Sequence, residues 1–297
     1  MQRERVLVGI DFSPASLRAL RWTALVFGAD AELVIAHVVD EPVPPPVVAG
    51  EETSSDDVEL LLLQAAEDRL QAISREMRLR RRVIEVCLGP VSEGLLTIAD
   101  RAGVSLIVIG VRRDGEGILN HVGGSARRLL AQTRIPVLLA ASPGSRLPSH
   151  ILSGTDGSPI SEDVDAWSRR LSNRFGSAWT RLAVIEATVP STVTSDDAMT
   201  PSPTPGSPVS RGETGIDVHE SVSVFGEAAP EILASAERYG TGLIVVGLRI
   251  ADRARRLAFG SVTWDVLLRT RCPVLIVVGR AAAAMSADDS ATMGDVI

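Results

Sequence analysis

Short apolar runs alternate along this chain with stretches in which apolar residues recur every three or four positions. Arg5–Ile10 is such a run, rich in branched side chains, and reads as a strand buried on both faces. Ser13-Pro14 then opens a helix, the hydroxyl placed to cap it and the proline in its first turn. Leu17, Leu20, Ala24 and Leu25 give that helix its apolar face. A second strand is predicted over Leu33–Val39, followed by a proline-rich loop. Asp56 or Asp57 is predicted to cap a long helix in which Leu60, Leu63, Leu70, Ile73 and Met77 recur at helical spacing. Beyond it come strands at Val83–Leu88, Leu106–Gly110 and Val137–Ala140, separated by helices at Val91–Arg101 and Ser125–Gln132. Strands alternating with helices predict a parallel sheet covered by helices.

The pattern then repeats. Gly110, Gly123 and Pro136 answer to Gly247, Gly260 and Pro273, each 137 residues later. Both halves open on a strand ending in aspartate, RVLVGIDFSPAS at Asp11 and HILSGTDGSPIS at Asp156. A duplication of this length is that of a whole domain. The first domain is placed at residues 1–142 and the second at 149–280, with Pro143–Pro148 as linker. The second half has its second strand at Leu182–Ala187 and its last at Val274–Val278. Where the first half has its long helix, the second has a stretch of proline, serine and threonine without apolar periodicity. Residues 189–215 therefore read as a disordered loop, and 281–297 as a disordered tail.

Composition narrows the chemistry. The 297 residues are 45% hydrophobic and 23% charged, ample for two cores. No apolar run approaches the roughly 18 residues of a membrane span, and the N-terminus enters a strand directly, which predicts a cytoplasmic protein. There is no lysine, so a Schiff base and a Walker A lysine are excluded. A net charge of −7 and 3% aromatics argue against nucleic acid, and the RLRRR run at Arg78–Arg82 reads as the solvated end of a helix. Four scattered histidines have no metal-binding spacing, and Cys87 and Cys272 lie in apolar strand contexts as buried thiols.

An open parallel sheet takes ligands beyond the carboxyl ends of its strands, where the strand order reverses. Asp11 and Gly110 lie at such ends. Gly123-Gly124-Ser125 leads into a helix whose free N–H groups favour an anion, and Arg112 and Arg113 offer charge to phosphate oxygens. Gly247, Arg249, Gly260 and Ser261 repeat the arrangement beside Asp156. Taken singly, each glycine reads first as a common turn device, and the aspartates read equally as helix caps.

The joint pattern resembles the universal stress protein family in a tandem two-domain form. The resemblance implies two Rossmann-like domains (adenine nucleotide alpha hydrolase-like), each a five-stranded parallel sheet in the order 3-2-1-4-5 flanked by helices. It also implies that the halves pair through their fifth strands as a pseudo-dimer, and that chains associate as homodimers. The nucleotide-binding branch carries G-x2-G-x9-G-S/T, with the aspartate near the adenine and the glycines around the phosphates. Carried onto this chain, the set is Asp11, Val38, Gly110, Arg112, Arg113, Gly123, Gly124, Ser125, Asp156, Gly247, Arg249, Gly260 and Ser261. Both copies depart from the motif. Arg113 and Ile250 replace the middle glycines, and Gly124 takes the Ser/Thr position of the first copy.

The expected function is a stress-associated regulatory protein that binds ATP or another adenine nucleotide and acts through an unidentified protein partner, without readable catalytic residues. A ligand-free dimerisation scaffold with degenerate crevices is the alternative. A slow ATPase rests on the phosphate cradle alone.

Overall fold

A computed structural model of the chain describes residues 3–40, 55–111, 123–141, 146–185, 208–211, 220–250 and 261–280. The first half contributes five strands: β1 (Arg5–Gly9), β2 (Glu32–Val39), β3 (Arg82–Leu88), β4 (Leu106–Val111) and β5 (Val137–Ala141). Four helices connect them, α1 (Pro14–Phe27), α2 (Ser55–Glu76), α3 (Val91–Ala102) and α4 (Gly124–Gln132). The second half holds β6 (His150–Thr155), α5 (Ile160–Phe175), β7 (Ala178–Ile185), β8 (Pro208–Arg211), β9 (Glu220–Phe225), α6 (Ala228–Arg238), β10 (Leu243–Ile250), α7 (Ser261–Arg269) and β11 (Val274–Arg280). All eleven strands join one sheet in the order β3-β2-β1-β4-β5-β11-β10-β6-β7-β9-β8. Each half therefore has the expected 3-2-1-4-5 order.

The central strands are mostly apolar because both faces of the sheet are covered. Val6, Val8, Leu33, Ile35, Leu106 and Val108 pack under α1 and α2, and the same core continues beneath α5. Leu7, Val34, Ala36, Ile107 and Ile109 face the other way, beneath α3 and α4, in a core that continues under α6 and α7. Ser13 caps α1 as predicted, accepting the Ser16 N–H, with Pro14 at the first helical position. The long helix starts at Ser55, ahead of the predicted caps, so Asp56 and Asp57 lie in its first turn, where their charge suits the helix dipole.

The second half departs from the prediction in three places. Its second strand begins at Ala178, four residues early, because Trp179 and Thr180 are buried there against β6. An added strand, β8, falls within the stretch read as disordered. It pairs antiparallel to β9 through an irregular register, at the sheet edge where Pro208 is tolerated. Among the described residues the second half thus has six strands, not five. The rest of 189–215, apart from those four residues, and the tail beyond Arg280 lie outside the described residues. The third difference is chemical. Ile35 and Ile84, paired under α2, correspond to the paired Arg181 and Ser221, while Val8 corresponds to Ser153. These positions are polar in the half whose sequence has no counterpart of α2. Ser153 is buried and accepts the Trp179 Nε1–H at 2.9 Å, while Arg181 donates to Asp165 at 2.9 Å.

The halves meet edge to edge. β5 and β11 are antiparallel, with Val137, Leu138 and Leu139 opposite Ile276, Leu275 and Val274. Leu138 and Leu275 are equivalent positions of the duplication, so an internal two-fold passes between them. On one side of the sheet Phe27 meets Phe175 edge-on, centroids 6.5 Å apart, and Arg170 and Arg174 reach Glu4 at 2.6 and 2.8 Å. On the other, the Arg127 guanidinium lies 5.4 Å from the Trp264 ring centroid. These two are again equivalent positions.

Candidate functional site

β1 and β4 are parallel neighbours at the reversal of strand order, with Gly9 opposite Ile109. Their carboxyl ends bring Asp11 and Gly110 to one edge of the sheet. The Asp11 carboxylate accepts the Ser13 N–H at 2.9 Å, a local turn that sets the entry to α1. Asp11 is exposed and lies ahead of the cap, which is Ser13. Between them Phe12 takes a left-handed backbone, φ 59°. Its ring lies 4.6 Å from that of His37, and the Arg69 guanidinium sits 4.1 Å over it. Those contacts from β2 and α2 hold a conformation that L-residues disfavour.

Gly110 lies in β4, one residue before its end. A methyl group there would come within 2.5 Å of the Ala15 carbonyl, so the close approach this glycine permits is that of α1. Val38 is buried in β2, packed by Gly94 of α3 and by Cys87. Burial raises the Cys87 thiol above its ordinary value, with Arg101 pulling the other way, so the group is a poor nucleophile. Gly123 is the N-cap of α4 and has no side chain to offer the helix N–H groups. Among the described residues, nothing lies within 4 Å of where a Gly123 side chain would begin. Gly124, predicted to precede the helix, is its first residue, and Ser125 lies half-buried in the first turn. The Arg128 guanidinium folds back toward that turn, 3.4 Å from where a Gly124 side chain would begin.

The second crevice is built on β6 and β10, parallel neighbours with Gly154 opposite Val246. Asp156 accepts the Ser158 N–H at 3.0 Å and the Ser158 hydroxyl. Gly157 occupies the left-handed position of Phe12, φ 72°. Gly247 is interior to its strand, since β10 continues to Ile250 and pairs Arg249 with Gly279. Its close neighbour is the Ile160 side chain, 2.9 Å from an added methyl. Thr263, in the first turn of α7, donates its hydroxyl to the Gly247 carbonyl at 3.0 Å. Ser261 opens α7, and Arg249 and Ser261 are described by backbone alone. Arg112, Arg113 and Gly260 lie outside the described residues.

The structure thus brings each aspartate to the edge where a helix N-terminus begins a neighbouring connection. It gives Gly110, Gly247 and Val38 packing neighbours within the protein. Sequence reasoning missed Arg128, Thr263 and Phe12. The constant 137-residue spacing held the signal for the first two, since it sets Arg128 against Asp265 and Ala126 against Thr263. What the first crevice offers is hydrogen-bond donation and positive charge, the chemistry of anion binding. Among the described residues no group of three His, Cys, Asp or Glu is placed to hold a metal, and no helix is long and apolar enough to cross a membrane.

Comparison with known proteins agrees with this architecture. A universal stress protein from Archaeoglobus fulgidus DSM 4304 superposes with a TM-score of 0.69 at 16% identity, covering 93% of this chain and 98% of that one. A putative universal stress protein from Pseudomonas aeruginosa UCBPP-PA14 gives 0.63 at 13% identity, covering 93% of each. At these identities the likeness is one of fold. Universal stress protein YxiE of Bacillus subtilis (strain 168) is 42% identical over 65 residues, which span 22% of this chain and 43% of that protein. The sequence model of the universal stress protein family matches twice, over residues 2–141 and 148–278. With both halves matched, the chain belongs to the universal stress protein family, as a tandem of two domains.

Proposed function

We propose that this protein is a cytoplasmic, stress-associated regulator that binds ATP or another adenine nucleotide in at least one of its two crevices and signals through a protein partner. The observation that carries the reading is the uncapped N-terminus of α4. It follows β4, a strand at the order reversal, and begins with Gly123 and Gly124, both exposed, with the Arg128 guanidinium beside it. Asp11 lies at the same edge, where the base end of a nucleotide would be received. Family membership supports the same reading, as does the tandem repetition of the crevice. Association of chains into homodimers is part of the proposal, because the strands pairing the two halves leave β3 and β8 as the outer edges.

The test is mass spectrometry of small molecules released from freshly purified, denatured protein, counted per chain. Stoichiometric ATP, AMP or a relative is the expected result. A blank, repeated after incubation with millimolar ATP, defeats the reading and leaves a ligand-free scaffold. Sedimentation of the same sample tests the dimer.

A further inference from the structure

We propose that the outer edge of β3, with the arginine run that leads into it, receives an extended acidic segment of a partner protein as an added strand. The inference names a surface for the partner in the reading above and does not depend on the nucleotide. The homodimer of that reading then forms away from this edge.

The sheet has two outer edges, and they differ. β8 is four residues long, starts at Pro208 and pairs with β9 through an irregular register. Those features blunt an edge against further pairing. β3 has none of them. It runs for seven residues and pairs with β2 in continuous register from Arg82 to Leu88. The one charge within it, Glu85, is taken by Arg101. The Leu33 N–H donates to the Arg81 carbonyl at 3.1 Å, and the Gly89 N–H to the Val39 carbonyl at 3.0 Å. In a parallel ladder alternate residues turn both backbone groups to the same side. Arg82, Ile84, Val86 and Leu88 therefore turn theirs outward, where no described residue pairs with them.

The connection from α2 into β3 is basic. Arg78, Arg80 and Arg81 are exposed and Arg82 is half-buried. Among the described residues none of the four meets a carboxylate. Arg81 donates to the Ala29 carbonyl and Arg82 to the Leu79 carbonyl, each at 2.6 Å, and the Arg82 Nε is buried without a partner. Arg78 holds a left-handed backbone, φ 53°, after α2, where α3, α5 and α6 are followed by left-handed Gly103, Gly176 and Gly240. The backbone there favours glycine, so the arginine is kept at a cost. The α2 dipole favours a cation at this end, which accounts for Arg78 but not for the three arginines beyond it.

A row of outward backbone groups headed by guanidinium groups fits an extended segment with acids at one end. Its main chain bonds to the edge, and its carboxylates answer the arginines. A second copy of this chain fits less well. Paired antiparallel over the whole strand, it would set Glu85 against Glu85 and Arg82 against Leu88, like charges together and the arginines unanswered.

Hydrogen exchange of the full chain, read residue by residue, tests this with blocked peptides of about eight residues, valine and threonine in alternation. The peptides carry glutamates at either end or, in controls, lysines. The expected result is slowed exchange at Arg82, Ile84, Val86 and Leu88 with a glutamate-tipped peptide and none with a lysine-tipped one. Arg80→Glu should weaken binding about tenfold or more. Arg78→Gly should weaken it as well while raising the melting temperature, since glycine takes a left-handed backbone without strain; binding lost there is not fold lost. Exchange unchanged by any peptide overturns the inference, as does equal binding of the two kinds. So does protection that rises with protein concentration alone, which marks a second copy, or tighter binding of duplex DNA without protection of β3. Nucleotide released from the same sample is counted separately, so an ATP blank leaves this edge standing and failure at the edge leaves the nucleotide standing.

Discussion

At the amino ends of their first strands the two halves solve one problem with different chemistry. In the first, Arg5 bridges Glu32 at 2.8 Å and the Ala102 carbonyl at 2.9 Å. In the second, the equivalent residue is His150, buried, with Thr241 and Thr180 hydroxyls each 3.0 Å from its two ring nitrogens and Tyr239 stacked 5.1 Å away. One solution carries a permanent charge and the other a neutral ring. A duplicated fold therefore keeps its geometry while its halves acquire separate responses to conditions.

The sharpest way to break the comparison is at the paired glycines. Gly110→Ala drives a methyl into the backbone of α1, whereas at Gly247→Ala the nearest atoms belong to the Ile160 side chain, which gives way more readily than a helix backbone. Denaturant unfolding should show a loss of about 3 kcal/mol for the first and about 1 kcal/mol for the second. Equal losses would mean that the two helix–sheet contacts are not as different as they look.

Next in size is the buried indole. Ser153→Ala leaves the Trp179 N–H without its acceptor and should cost about 1–3 kcal/mol. In the first half the same position is Val8, and Val8→Ala should act through lost packing alone, about 1 kcal/mol or more.

Acid should separate the halves further. Burial lowers the His150 pKa below its ordinary 6.5, with the charge of Glu220 opposing. The unfolded chain then binds a proton that the folded second half resists. The stabilising contribution is complete above pH 6.5 and is lost as pH falls toward the folded value. Hydrogen exchange between pH 7.5 and 5.5 should show β6 and β7 losing protection before β1 and β2, and His150→Gln should remove the difference. Uniform loss would assign the acid response elsewhere.

The smallest effect concerns the turn after the first strand. Gly157→Ala forces a side chain into a left-handed conformation and should cost about 1 kcal/mol in a thermal melt. Phe12→Gly relieves the same strain but surrenders the contacts with His37 and Arg69, so its net change should be smaller than that of a typical buried aromatic truncation.

Much of the fold was legible because strands buried on both faces leave unbroken apolar runs, as in Val6–Val8 and Leu106–Ile109. β7 begins ahead of its predicted bounds because Thr180 and Arg181 interrupt its apolar run; Thr180 is buried against His150 and Arg181 is half-buried against Asp165, partners distant in sequence. β8 was missed because proline and serine in a polar stretch say nothing of an edge that happens to be available. In the sequence the candidate site is marked by its glycines together with Asp11, Asp156 and the arginines, and the glycines are ambiguous. Gly123 caps the start of a helix, while Gly110 and Gly247 admit a helix against the sheet, and composition cannot tell the two uses apart. The contrast of Arg128 with Asp265 was present in the repeat, yet single charges on an exposed helix look like ordinary solvated residues.

The contact between Arg127 and Trp264 has a consequence for ancestry. In a symmetric homodimer a residue beside the axis faces its own copy, so an arginine there would face an arginine and a tryptophan a tryptophan. When both copies are encoded in one chain, the two sides of the axis can carry different residues and select each other. Joining the halves thus released them from self-complementarity, and each position along the seam became free to specialise. The covalent link allows one polypeptide to be a heterodimer with itself.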